Sequence, residues 1–179
     1  MEDRELVREC LDGKVGFYKE IMTKYGGSAM AAAMNMMMNV QDAEDACQEA
    51  FLRAFRNLGR FDPERSFKNW FFAILSNICL DHLRGRKRRK SLVNKFMKED
   101  AEAPVVRDRG ASSPGREIDP RLLARLAPKE RLCLHLWAQE DCSPKEIASI
   151  LGCTRSTANV HLHRARVKLK SALREEAHA

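Results

Sequence analysis

The chain has 179 residues, of which 44% are hydrophobic and 32% are charged. It is long enough for one domain or two small ones, and it can bury a core and remain soluble. The formal net charge of +7 favours a polyanionic partner such as nucleic acid. No apolar run approaches the roughly 20 residues that span a bilayer, and the charged N-terminus is unlike a signal peptide. We therefore expect a cytoplasmic protein without membrane insertion.

The six cysteines are scattered along the chain and include no C-x-x-C pair. Cys142, Cys153, His161 and His163 combine the two residue types of a zinc finger, but the gap between the cysteines is far too long for one. We expect reduced thiols that mostly pack in apolar faces, with no metal and no other cofactor.

Residues 3–40 show a helical pattern, with soft breaks at Gly13, Gly16 and Gly26–Gly27. The methionine-rich stretch Met30–Met38 predicts a helix packed in a core, and the alternative is an adaptable binding surface. A further helix is predicted to begin at Asp42 as its cap. Its polar face is either solvated or a partner-binding face, and spacing alone does not choose. Its apolar stripe is Ala43, Ala46, Cys47, Ala50, Phe51, Ala54, Phe55 and Leu58.

A turn-rich loop, Gly59–Ser66, is followed by a helical run, Phe67–Leu83, and then by a basic segment, Arg84–Lys90. Aromatic faces hold unstacked bases and basic side chains neutralise phosphates, so the stretch predicts a surface that opens and reads DNA. Ser66 is the expected cap of this helix. Phe61 and Phe72 are the aromatics that we expect to be exposed. The predicted buried stripe is Phe67, Trp70, Phe71, Ile74, Leu75 and Ile78.

The helical pattern is lost between Ser91 and Asp119, and this segment is predicted to be a flexible linker. Beyond it, Pro128 opens a helix, and Ser143-Pro144-Lys145-Glu146 combines a cap residue, a first-turn proline and a capping glutamate. That second helix is predicted to stop at Gly152, and a long basic helix follows from residue 155 to 170. Two helices joined by a short turn, the second of them polar and basic, are typical of a helix-turn-helix.

The basic helix carries side chains suited to the major groove. Arg155 is suited to guanine and Asn159 to adenine, which they contact through paired hydrogen bonds. Thr157, Arg164 and Arg166 are suited to phosphates, which position a helix without reading sequence. The alternative is an ordinary amphipathic helix whose charges face water.

Two blocks of the chain resemble the bacterial extracytoplasmic-function sigma factors, the smallest class of RNA polymerase initiation subunits. The first block runs from Asp42 to Leu52 and from Phe61 to Trp70, and ends in Asp81–Arg84. The second comprises Leu126–Arg131, Ser143–Ala148 and Leu162–Arg166. Together they cover most of the chain in the family's order and spacing.

The resemblance implies an all-α protein of two small helical domains. Residues 1–90 would form a domain like sigma region 2, 91–119 a flexible linker, and 120–179 a helix-turn-helix domain like sigma region 4. The implied partners are core RNA polymerase, double-stranded promoter DNA, the melted non-template strand and an anti-sigma protein.

The resemblance also assigns residues to each surface. The helix from Asp42 to Leu58 is expected to dock on the clamp of the largest polymerase subunit through Asp45, Gln48, Glu49, Arg53 and Arg56. The loop and the helix behind it are expected to capture an unstacked base and contact the −10 element through Phe61, Asp62, Arg65, Ser66, Asn77, Asp81, Arg84, Arg86 and Lys87. The −35 element is expected to be read by Arg155, Ser156, Thr157, Asn159, Val160, His163, Arg164 and Arg166.

The recognition helix departs from the family pattern at its centre. The family usually carries Lys or Arg where Asn159 stands, Ser at Val160 and Arg at His161. The helix is therefore less basic there, which bears on its preferred −35 sequence more than on DNA binding itself.

Three other classes of protein fit the sequence less well. A stand-alone helix-turn-helix regulator would dimerise on a palindromic site and would leave the docking helix and the aromatic loop unexplained. A nuclease would need clustered acidic metal ligands or a nucleophile with its base, whereas Asp42, Glu44 and Asp45 cluster only at a helix start. A protein-binding adaptor would leave the basic residues 86–90 unexplained. We therefore expect no enzymatic activity.

Overall fold

The computed structural model describes residues 1–96 and 119–176, and within these ranges its regular structure is helical. This confirms the all-α prediction. Most of the predicted linker, 97–118, lies outside the described residues. Its first residues, 91–96, continue the preceding helix as far as Phe96. The helices are α1 (Asp3–Leu11), α2 (Gly16–Met37), α3 (Val40–Asn57), α4 (Phe67–Phe96), α5 (Pro120–Ala124), α6 (Pro128–Ala138), α7 (Pro144–Leu151) and α8 (Arg155–Glu176), with a 3₁₀ turn at Leu58–Arg60.

Helices α1 to α4 form an N-terminal unit around an aromatic core. Phe71 lies at its centre, with ring centroids 4.6 Å from Phe51 and 5.9 Å from Tyr25. Met36 and Met37 are buried in the same core, which confirms that the methionine-rich helix packs inside the protein. Gly13, at φ 87°, lies in the turn between α1 and α2, while α2 continues through Gly26 and Gly27 without a break.

Helix α3 begins earlier than the sequence pattern predicts. Its cap is Asn39, whose side chain accepts a hydrogen bond of 2.9 Å from the backbone N–H of Asp42. Met38 ends α2 in the left-handed conformation, so the connection between the two helices is too short to leave Asp42 outside α3. The prediction of Asp42 as the cap is therefore wrong. Asn and Asp are comparable caps, and the conformation of the preceding turn decides between them.

The expected exposure of two phenylalanines is also wrong. Phe61 is 6% exposed and Phe72 is 1% exposed. Helix α4 packs against α2, α3 and α7 together, so its buried face is wider than the single stripe that periodicity predicts. Conversely, Phe55 belongs to the predicted apolar stripe of α3 but is 40% exposed, although its ring lies against Tyr18 with centroids 4.9 Å apart.

Helices α5 to α8 form a C-terminal unit with the predicted helix-turn-helix. Ser143 caps α7, and the backbone N–H of Ser143 donates a hydrogen bond of 2.9 Å to the Glu146 carboxylate. Pro144 occupies the first turn, where a missing N–H costs no hydrogen bond. Gly152, at φ 59°, ends α7 in the left-handed conformation that glycine adopts without strain. The chain then turns directly into α8.

The two units lie against each other rather than apart. Helix α6 packs on α2, and α7 packs on α4. The small side chains of Ala29, Ala32 and Ala33 are fully buried on α2, and one continuous hydrophobic cluster links the N-terminal core to residues such as Leu136 and Ile150 of the C-terminal unit. The sequence pattern predicts two helical bodies but contains no signal for this contact.

The cysteines are free thiols, five of them buried and Cys153 half-buried, which confirms that they mostly pack in apolar faces. Burial raises the pKa of Cys47 to about 11 and those of Cys79 and Cys133 to about 12. Among the described residues, no group of three His, Cys, Asp or Glu side chains is arranged to hold a metal ion. None of the described helices has both the length and the apolarity needed to cross a membrane.

Cys153→Ser should remove the rapid thiol reaction of the native protein. A thiol reacts as its thiolate, and burial together with raised pKa values keeps Cys47, Cys79 and Cys133 protonated near neutral pH. Reaction with a chromogenic disulfide should therefore show one fast thiol per native chain and the remaining five only after unfolding. Cys47→Ser is the control and should keep the fast phase. Fast reaction of several thiols in the native protein would contradict the prediction.

Candidate nucleic-acid and partner-binding surfaces

The aromatic loop, residues 61–66, is held between α1 and the start of α4. The backbone N–H of Glu64 donates to the Asp62 carboxylate at 3.0 Å, and the backbone N–H of Asn69 donates to the Ser66 hydroxyl at 3.2 Å. Arg4 of α1 donates to the Pro63 carbonyl at 3.2 Å and to the Glu64 carboxylate at 2.7 Å. Local turns and one long-range arginine therefore fix the shape of the loop.

Phe61 turns inward from this loop and forms an aromatic cage with two residues of α4. Its ring centroid lies 4.9 Å from that of Trp70 and 5.5 Å from that of Phe67. Trp70 is only half-buried, so the cage presents one partly exposed aromatic face beside the exposed side chains of Asp62 and Arg65. Trp70, rather than the predicted Phe61, is therefore the accessible aromatic side chain of this loop region, and Phe61 packs behind it.

The outer face of α4 follows the cage along the helix. Asn77 is exposed, and Asp81, also exposed, pairs with Arg84 at 2.9 Å. Arg86 pairs with Asp42 of α3 at 2.7 Å. The helix rises about 1.5 Å per residue, so the basic end of α4 begins roughly 10 Å beyond Asn77. The exposed cations of this basic end are Arg84, Arg86, Lys87, Arg88, Arg89 and Lys90.

The outer face of α3 combines charges with large apolar side chains. Glu49 pairs with Arg53 at 2.5 Å and lies 3.2 Å from His82 of α4. Leu52 is 56% exposed in the middle of this face, and Phe55 flanks it. The predicted docking residues Asp45, Gln48, Arg53 and Arg56 are all exposed around them. Sequence reasoning missed Leu52 as a surface residue, although its position off the apolar stripe of α3 was the available signal.

The outer face of α8 is separate from these surfaces and carries the eight predicted recognition residues. Thr154 caps the helix through a 3.1 Å hydrogen bond from the backbone N–H of Thr157. Ala158 and Leu162 point inward, which turns the intervening polar side chains outward. Arg166 stacks on Trp137 of α6, with its guanidinium carbon 4.1 Å from the ring centroid. The exposed residues of this face are Arg155, Ser156, Thr157, Asn159, Val160, His163, Arg164 and Arg166.

His161 lies near the centre of α8. It is half-buried, and burial is the main cause that lowers the pKa of its imidazole. At neutral pH it therefore adds little positive charge to the outer face. The central turn of the helix presents an amide, Asn159, and an apolar side chain, Val160, instead of cations.

Comparison with known proteins finds two matching family models, Sigma-70 region 2 over residues 21–89 and Sigma-70 region 4 over residues 120–169. The ECF RNA polymerase sigma factor SigW of Bacillus subtilis is 25% identical, with 96% of this chain and 97% of SigW covered. The ECF RNA polymerase sigma factor EcfG of Rhodopseudomonas palustris is 31% identical, with 82% of this chain and 79% of EcfG covered.

A solved structure shares the fold over most of both chains. It is the sigma factor RpoE in complex with the anti-sigma factor NepR from Bartonella quintana. The TM-score is 0.71 at 23% identity, covering 88% of this chain and 96% of that one.

Phe61→Ala should destabilise the N-terminal unit by roughly 3 kcal/mol, the usual cost of removing a buried phenyl ring. Arg65→Ala, a change in the same loop at a side chain that is 81% exposed, should leave stability nearly unchanged. Urea unfolding followed by the fluorescence of Trp70, in a Trp137→Phe background, measures both. Equal stability of the two variants would mean that Phe61 is not part of the cage.

Proposed function

The chain belongs to the extracytoplasmic-function sigma factors, which direct core RNA polymerase to specific promoters, and we propose how its surfaces divide that task. Residues 1–90 dock on the polymerase and open and read the −10 element, and residues 120–179 read the −35 element. The observation that carries this proposal is α4, which supports the aromatic cage at one end, exposes Asn77 and Asp81 along its side and ends in six exposed cations. The protein itself does no covalent chemistry.

The −10 surface consists of the aromatic loop together with Asn77, Asp81, Arg84, Arg86 and Lys87. Opening a duplex costs a few kcal/mol for each unstacked base step, and a protein offsets that cost by stacking and hydrogen bonding. The half-buried ring of Trp70 provides an apolar wall, and the exposed amide of Asn77 and carboxylate of Asp81 provide hydrogen-bond partners for a base edge. The basic end of α4 neutralises the phosphates that flank the opened step.

The −35 element is read by the outer face of α8. Arg155 and Asn159 lie one helical turn apart near its N-terminus, where a recognition helix meets base edges. Val160 is 43% exposed and offers an apolar contact suited to a thymine methyl group. Arg164 and Arg166 lie further along the helix and contact phosphates. The Asn159-Val160-His161 centre thus favours reading by amide and methyl contacts over reading by charge.

The outer face of α3 docks on the clamp of the largest polymerase subunit. Asp45, Gln48, Glu49, Arg53 and Arg56 form a polar rim around Leu52 and Phe55. An exposed apolar centre with a polar rim is the usual anatomy of a protein interface.

An anti-sigma protein is a further partner of this chain. The structurally similar RpoE of Bartonella quintana was solved with the anti-sigma factor NepR, although that likeness concerns the fold alone. Because core polymerase works in the cytoplasm, the chain acts there.

Leu52→Asp should abolish start-site-specific run-off transcription by added core polymerase, and it should lower retention of the chain by immobilised polymerase. The charge would be desolvated at the centre of the docking face. Leu173→Asp is a matched control, since Leu173 is 55% exposed against 56% for Leu52 but lies on α8. If the native chain gives no polymerase-dependent start site on a promoter library, the proposed function fails.

Asn77→Ala combined with Asp81→Ala should reduce strand opening and leave holoenzyme binding to an upstream −35 duplex intact. Permanganate reactivity of thymines reports opening, and a gel shift reports binding.

Arg155→Ala combined with Asn159→Ala should show the reciprocal pattern, with relaxed −35 selectivity and normal opening on a pre-melted template. Loss of both activities in either variant would contradict the division of roles.

A further inference from the structure

We propose that Trp137 of α6 is a positioning residue for −35 recognition, which holds the guanidinium of Arg166 ready for a DNA phosphate. The inference rests on the proposed role of the outer face of α8 and adds to that face a residue from a second helix. The guanidinium carbon of Arg166 lies 4.1 Å from the centroid of the Trp137 ring. This distance is well within the roughly 6 Å over which an aromatic face attracts a cation.

Trp137 lies in the last turn of α6 and is 43% exposed. The apolar packing of α6 on α8 is made by another residue, Leu134, which is buried and clusters with Leu126 and Ala165. The Trp137 ring lies beyond this cluster, at the edge of the contact between the two helices. Its place in the structure is therefore defined by the cation that it carries more than by burial, and its substitution should leave the fold of the C-terminal unit intact.

Arg166 is an exposed cation whose charge is not cancelled by a carboxylate within the described residues. Helix α8 contains no Asp or Glu between residues 155 and 174. Among the described ion pairs, the cation that α8 contributes is Lys168, which meets Glu130 at 2.7 Å. Stacking on a ring leaves the N–H groups at the edge of a guanidinium available, and these donors suit the oxygens of a phosphate. The ring thus orders the side chain of Arg166 and preserves its charge.

Two arginines of the proposed −10 surface are held differently. Arg84 pairs with Asp81 at 2.9 Å, and Arg86 pairs with Asp42 at 2.7 Å. Each must leave a carboxylate before it binds a phosphate, so part of the attraction that it gains is offset. Arg166 gives up no ion pair of this kind. Because its guanidinium is already stacked, less side-chain freedom is lost when it meets DNA.

Arg166 lies on the same stripe of α8 as the two residues that we propose read bases. At 3.6 residues per turn, positions seven and eleven residues apart return to nearly the same angle around a helix. Asn159 and Arg155 precede Arg166 by these intervals, so the three residues share one face. Since the rise is about 1.5 Å per residue, Arg166 lies roughly 10 Å beyond Asn159. A phosphate held there fixes how the N-terminal half of the helix enters the groove.

Two substitutions separate the aromatic face of Trp137 from simple packing. Trp137→Phe keeps an aromatic face beside Arg166, whereas Trp137→Leu keeps an apolar side chain without one. In polymerase holoenzyme assembled with the full-length chain, Trp137→Leu should weaken binding to a −35 duplex roughly fivefold, as expected for loss of a cation–π contact, and Trp137→Phe should lose less. Leu173→Ala is the control, because it removes a side chain that is 55% exposed elsewhere on α8, and it should bind as the native chain does.

The loss caused by Trp137→Leu should be independent of DNA sequence and should depend on Arg166. A phosphate contact carries no sequence information, so native and point-mutated −35 duplexes should be weakened by the same factor. Arg166→Ala should lower the slope of log affinity against log salt by about 0.9, the value for one phosphate. In the Arg166→Ala background, Trp137→Leu should cause little further loss, because the group that the ring positions is already absent.

Equal binding by the Trp137→Phe and Trp137→Leu variants, or an undiminished loss in the Arg166→Ala background, would overturn the positioning role. The stack itself is measured without DNA, because the side-chain protons of Arg166 should show an upfield ring-current shift by NMR that Trp137→Leu removes. Absence of this shift from the native chain would also overturn the proposal. If the shift is present but native holoenzyme binds no promoter duplex, the proposed function fails and the role on DNA fails with it, while the stack is retained as a contact of the free chain.

Discussion

The burial of α4 is the constraint on which the rest of the structure depends. Its first turns lie among α2, α3 and α7, with Phe67, Phe71 and Phe72 almost fully buried. Its later turns leave that core and carry exposed cations from Arg84 onward. Because a single rigid helix belongs to both regions, the position of every polar side chain on its outer face is set by aromatic packing several turns away. The positions of the side chains that we propose contact DNA are thus set by packing in the core.

Packing also connects the two outer surfaces of the N-terminal unit. Helices α3 and α4 lie side by side, and we propose that the outer face of α3 docks on polymerase and that of α4 binds DNA. The Asp42–Arg86 and Glu49–His82 pairs cross between these helices. Exposed pairs of this kind contribute little stability, so buried residues such as Phe51 and Phe71 provide the mechanical link. A partner bound on α3 would thereby fix the orientation of the outer side of α4, where we propose that DNA binds.

Local signals in the sequence predict the helices and the helix-turn-helix well. Ser143, Pro144 and Gly152 have the roles that their side chains and backbone preferences predict, and the eight residues proposed on α8 are all exposed. Errors occur where several elements meet. Phe61 and Phe72 are buried by neighbours that periodicity within one helix cannot reveal, and Leu52 is exposed because nothing in this chain covers it. The contact between α2 and α6 depends on residues about 100 positions apart, such as Asn35 and His135, whose pairing has no local pattern. Residue roles on DNA and polymerase remain predictions.

Arg131 of α6 connects the two units. It is 7% exposed and donates hydrogen bonds to the carbonyl oxygens of Asn35 and Met36 at the end of α2. While it is in place, the carbonyls of Asn35 and Met36 have protein donors, and the final turn of α2 is complete. When it departs, those oxygens turn to solvent and the end of α2 becomes free to fray. That end leads through Met38 and Asn39 directly into α3. Loss of this contact would therefore loosen the start of α3, the helix that we propose docks on polymerase.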